Sequence, residues 1–100
     1  MIKHIVMWKL KDEHNGMTKD ELILEMSIRL SELKNKIKEV VDLHVGINGI
    51  HFDKNSDLVL TSDFNSFDDL ATYAVHPDHV KVGEFIKNIV LDRACVDYEY

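Results

Sequence analysis

The chain has 100 residues, 45% of them hydrophobic and 30% charged, with a formal net charge of −6. That balance fits one globular domain over residues 1–100 and excludes a disordered chain. Its 12 Lys and Arg are scattered rather than clustered, which argues against nucleic acid and anionic lipid as main partners, since both require a basic patch.

Met1 to Leu10 alternates as a strand does. Ile2, His4, Val6, Trp8 and Leu10 fall on one face; Ile5 and Met7 fall on the other with Lys3 and Lys9. Those charges interrupt the segment, so it does not read as a signal peptide, and no stretch approaches the roughly 20 apolar residues of a membrane span. Lys11 to Met17 is a polar loop with Asn15-Gly16 as its turn. Thr18-Lys19-Asp20-Glu21 has the form of a capping box. Leu22, Met26, Leu30, Leu33 and Ile37 then recur at spacings of three and four, which predicts an amphipathic helix to about Lys38. Val41 to Asn48 alternates as a second strand, Gly49 to Asp57 is a loop, and Leu58 to Phe64 is a third strand. Ser66, followed by Asp68 and Asp69, reads as a helix N-cap with acids in the first turn. That helix carries Leu70, Tyr73 and Ala74 and meets Pro77, which predicts a break at Val75-His76 and a new helix from Pro77 to about Val90. Asp92 to Tyr100 alternates as the last strand.

The order β-α-β-β-α-β is the ferredoxin-like α+β arrangement, with both helices on one face of a four-stranded antiparallel sheet. The first and last strands also offer apolar groups to the other face. That predicts a second copy of the chain packed sheet to sheet, a homodimer with a barrel-like interior. The single cysteine, Cys95, excludes an internal disulfide and fits a reducing, cytoplasmic setting.

His76-Pro77-Asp78-His79 is the most distinctive local pattern. Two histidines at i and i+3 can share a helix face, and a helix N-terminus disfavours imidazolium. With Tyr73 three residues earlier, they offer a hydroxyl donor and a neutral base for proton transfer beside a carbonyl. The competing reading has His76 capping the helix, Tyr73 packed on the sheet and His79 in solvent. His76 and His79 with His4, His44 or Asp97 match no closed zinc spacing, so neither metal nor cofactor is expected. His44 and His51 read as strand-surface and loop residues, while Asp97 is placed to orient a histidine.

Ile2-Lys3-His4-Ile5-Val6 with Lys9-Leu10-Lys11-Asp12, then Tyr73 to Val80, then Val96-Asp97-Tyr98, together resemble the stress-responsive dimeric α/β-barrel (Dabb) family over essentially the whole chain. The resemblance implies a ferredoxin-like fold and a homodimer whose sheets close a barrel. One plant member is a cofactor-independent polyketide cyclase. By motif position the resemblance puts its base on His79, its tyrosine on Tyr73, and pocket-lining or supporting roles on His4 and Asp97. Trp8 points the same way as His4 and is expected to shrink the cavity; with His76 it completes the candidate ligand-binding set. The implied function is a stress-responsive protein that binds a small organic molecule between helix and sheet. The alternatives are a polyketide cyclase or aldol-type lyase using His79 and Tyr73, and a monooxygenase-like member of the wider barrel group, for which no haem-ligand pattern is present.

Overall fold

The computed structural model describes residues 1–50 and 52–100; His51, assigned above to a loop, lies outside the described residues. The main elements are β1 (Ile2–Leu10), α1 (Lys19–Lys36), β4 (Asp42–Ile47), β5 (Leu58–Phe64), α2 (Phe67–Val75), α3 (Pro77–Lys87) and β6 (Val90–Glu99). All sheet pairs are antiparallel, in the order β4-β5-β1-β6. This is the ferredoxin-like α+β arrangement that the element order predicts.

Local chemistry explains most boundaries. Both halves of the capping box form, the Thr18 hydroxyl accepting from the Glu21 amide and the Glu21 carboxylate accepting from the Thr18 amide. The Ser66 hydroxyl accepts from the Asp69 amide. His76 sits between α2 and α3 with extended backbone, φ −62° and ψ 136°, and Pro77 opens α3 where its missing N–H costs nothing.

Two boundaries differ from the sequence reading. The expected polar loop contains a small hairpin, β2 (Glu13–His14) and β3 (Met17–Thr18). Asn15 and Gly16 both have positive φ, 51° and 83°, as a type I′ turn requires. The last helix stops at Lys87, not near Val90. Ile89 and Val90 continue the apolar spacing, but Ile89 is buried beyond the helix end and Val90 already pairs with Leu10 in β6.

The helix-side core joins β1 and β5 to α1; Leu10, Leu22, Met26 and Phe64 are fully buried there. At one end a buried carboxylate, Asp57, ties the layers together. It accepts from the Leu10 amide at 2.8 Å and lies 3.4 Å from the Lys19 ammonium. Asp57→Ala strands that amide and is expected to lower unfolding free energy in urea by about 1–3 kcal/mol. Asp57→Asn keeps an acceptor oxygen and should lose less; an equal loss would mean that charge, not the hydrogen bond, is what matters.

The edge strand β6 positions the site. Its register sets Arg93 beside Trp8, Cys95 beside Val6 and Asp97 beside His4, all on the helix side of the sheet. All three are exposed, so the helix side of the sheet is open along β6. The opposite face carries an apolar centre of Ile5, Met7, Val59, Ala94 and Val96. Met7 is 42% and Val96 51% exposed there. Charged pairs flank that centre, Lys3 with Asp63 at 2.7 Å on one side and Lys9 beside Asp92 on the other. Among the described residues no helix is long and apolar enough to cross a membrane.

Candidate functional site

Tyr73 is carried by the last turn of α2 and is buried against Phe64, ring centroids 5.0 Å apart. The helix break then turns the chain so that His79, on the first turn of α3, packs against Tyr73 with ring centroids 4.4 Å apart and the rings tilted by 50°. His4, from the centre of β1, approaches the same tyrosine at 6.1 Å. These three side chains and Trp8 line one cavity of about 240 Å³ between α3 and the sheet, closed below by Leu30 and Leu60. Gly83 of α3 also lines it, and nothing lies within 4 Å of where its Cβ would stand. A helix-interior glycine costs about 1 kcal/mol relative to alanine; here its lack of a side chain keeps the cavity wide.

Hydrogen bonding fixes how each polar group meets this space. His79 Nδ1 lies 3.0 Å from the Ala74 carbonyl oxygen, which can only accept. Nδ1 therefore carries the proton, and the neutral ring leaves Nε2 as a free base. Burial pushes the His79 pKa below its ordinary 6.5; the Ala74 bond opposes this, and the charges of His4, Arg93 and His76 add to it. His4 Nδ1 is likewise engaged, donating to the Asp97 carboxylate across the β1–β6 pair, and its Nε2 has no partner among the described residues. Burial pushes the Tyr73 pKa up to about 12, so its hydroxyl stays a donor. That hydroxyl is buried and has no hydrogen-bond partner among the described residues.

Of the residues singled out in the sequence, the fold brings His4, Trp8, Tyr73 and His79 to one cavity, with Asp97 behind His4. His76 does not join them. Its Nδ1 accepts from the Asp78 amide at 3.1 Å and caps α3, so the i, i+3 face-sharing expected with His79 fails because His76 is outside the helix. His44 is a strand-surface residue beside Asp42. The sequence reading missed Lys87 and Arg93, which also line the cavity. The register that sets Arg93 beside Trp8 is the signal that finds it.

Three metal-ligand types also converge here. Donor atoms of His4, Cys95 and Asp97 lie within 4.8 Å of one another. Burial, with Asp97 adding to it and Arg93 opposing it, pushes the Cys95 pKa up. Within this cluster the Asp97 carboxylate accepts from His4 Nδ1 and so supports His4. A larger depression, about 480 Å³, lies around Met7, Gly46 and Val59. Among the described residues, Lys54 is the one ionisable side chain lining it.

Comparison with known proteins agrees with this architecture. The family model for the stress responsive A/B barrel domain matches residues 2–100. An Arabidopsis thaliana stress-response A/B barrel domain-containing protein, DABB1, is 35% identical over 98% of this chain and 46% of its own length. The chain spans less than half the length of the curated relatives it matches. A dimeric ferredoxin-like protein of unknown function from Bacteroides fragilis is 33% identical, with a TM-score of 0.86 over 99% of this chain and 95% of that one. Hydroxynitrile lyase from Passiflora edulis shares the fold, TM-score 0.78, at 17% identity over 97% of this chain and 90% of that one. The chain belongs to the stress-responsive A/B barrel (Dabb) family.

Proposed function

We propose that the cavity beneath the helix break binds a small organic molecule through an oxygen atom that accepts from Tyr73. The buried, unpartnered Tyr73 hydroxyl carries this reading. Leaving such a group unsatisfied costs about 1–3 kcal/mol, and natural sequences rarely keep one without use. The cavity size narrows the ligand. An apolar cavity of about 150 Å³ already admits benzene, so about 240 Å³ takes one ring with short substituents. A long chain does not fit, in keeping with the bulk of Trp8.

Tyr73→Phe tests the reading because binding and stability should move apart. The variant should match the wild type or gain up to about 1–3 kcal/mol, since it deletes an unsatisfied buried group. The melting shift given by acetophenone should shrink. If Tyr73→Phe is instead clearly less stable, the hydroxyl is a structural bond and the reading fails.

A second reading, cofactor-independent lyase or cyclase chemistry, is favoured by the His79 tautomer. Nε2 removes a proton from the carbon next to a carbonyl, the electron pair moves onto the carbonyl oxygen, and Tyr73 donates to the enolate so formed. That enolate can attack a second carbonyl, and the reverse sequence cleaves the same bond. The Passiflora lyase is a likeness of fold alone, but it sits easily beside such chemistry.

The working unit is a homodimer joined through the open sheet face. An apolar centre flanked by charged pairs is how stable interfaces are built. A standard interface buries about 800 Å² per partner, roughly an eighth of this chain's 6171 Å² surface.

A further inference from the structure

We propose that the cavity selects ligands bearing a carboxylate, held at its mouth by Arg93 and Lys87. This deepens the small-molecule reading above and rests on it.

The charge distribution carries the argument. The protein is acidic, with 18 Asp and Glu against 12 Lys and Arg. Yet among the described residues no acid lines this cavity, while Arg93 and Lys87 both do. Neither forms an ion pair among the described residues. The acids nearby on β6 are otherwise placed. Asp92 falls opposite Lys9 in the strand register, on the other face, and its carboxylate accepts from the Arg93 amide; Asp97 is engaged by His4, and Glu99 lies beside Ile2 at the far end of the strand.

Simpler explanations account for each cation alone. A lysine suits the last turn of α3, and an edge strand favours charge of either sign. They do not explain why both cations border a space lined, among the described residues, by apolar and aromatic side chains with His4 and His79 and by no acid. Arg93 also acts on the site, since its charge helps depress the proton affinity of His79. A guanidinium offers a planar fork that matches a carboxylate, and the low-dielectric wall behind it strengthens the contact. The ligand is then a one-ring acid with its carboxylate at the β6 mouth and a second oxygen at Tyr73.

Trp8, the chain's one tryptophan, lines the cavity, so its fluorescence reports occupancy. The full chain is titrated with benzoate and with benzyl alcohol at low ionic strength. Benzoate should bind at least about tenfold tighter, as expected of a charge-assisted contact. Arg93→Gln should remove most of that preference by weakening benzoate. Lys81→Gln, in a separate groove on the same helix, should keep it. Equal binding of the two probes, a preference surviving Arg93→Gln, or an equal loss in Lys81→Gln overturns the inference and leaves the small-molecule pocket standing. If neither probe changes Trp8 fluorescence or the melting temperature, the pocket reading falls and the inference falls with it.

Discussion

Val96→Asp is expected to turn a dimer into a monomer without unfolding it. Val96 stands in β6 beside Ile5, at the centre of the apolar patch on the open face. In one copy it is 51% exposed, so a carboxylate there costs the isolated fold little, within about 0.5 kcal/mol as for most surface changes. In a twofold dimer the same change buries two like charges against apolar neighbours. Leaving a buried charge unpaired costs about 3–5 kcal/mol, so dissociation should rise by more than about a hundredfold. Light scattering on the eluting protein should give about twice 11.6 kDa for the wild type and 11.6 kDa for Val96→Asp. The wild-type melting temperature should rise with concentration and the variant's should not, because only association couples stability to concentration. Leu24→Asp is the control: Leu24 is 58% exposed on α1, away from the open face, and should leave the dimer intact. A monomeric wild type at micromolar concentration, or a dimeric Val96→Asp, would sink the proposal.

The apolar patch was legible in the sequence because a strand's period of two is local. Ile5 and Met7 oppose His4, Val6 and Trp8 whatever the sheet order. The capping box at Thr18 and the stop at Pro77 were legible for the same reason: each is satisfied by atoms within a few residues. What escaped was non-local. Arg93 enters the cavity only because β6 pairs with β1 in the register that sets it beside Trp8. Lys87 faces the same space only because α3 ends there, and the apolar run through Ile89 and Val90 hid that end. The His76–His79 spacing suggested a shared face. Pro77 holds His76 in extended backbone outside the helix, so the face-sharing rule does not reach it. Parity put His4 and Trp8 on the helix side, but only the fold brings Tyr73 and His79 down onto them.

His79→Ala should abolish proton transfer, and the pH dependence should identify the group responsible. Acetophenone supplies a ketone beside exchangeable methyl protons, and deuterium uptake followed by NMR reads their removal directly. Losing a positioned general base typically costs about 10²–10⁴-fold, and that loss is expected for His79→Ala. His44→Ala should be silent, since that side chain is 82% exposed on β4. Burial holds the His79 pKa below 6.5, so the free base persists into mild acid and the acid limb of exchange should fall below pH 6.5. Stability should follow the same linkage. Between the folded pKa and 6.5 the unfolded chain binds a proton that the folded chain refuses, so acidification through this window favours unfolding. His79→Ala removes that contribution, and its stability should fall less steeply below pH 6.5 than the wild type's. An acid limb at or above 6.5, or equal losses in His44→Ala, would remove His79 as the base. A wild type that binds acetophenone without exchanging its protons would confine the site to binding, with the Tyr73 hydroxyl still the group that holds the ligand.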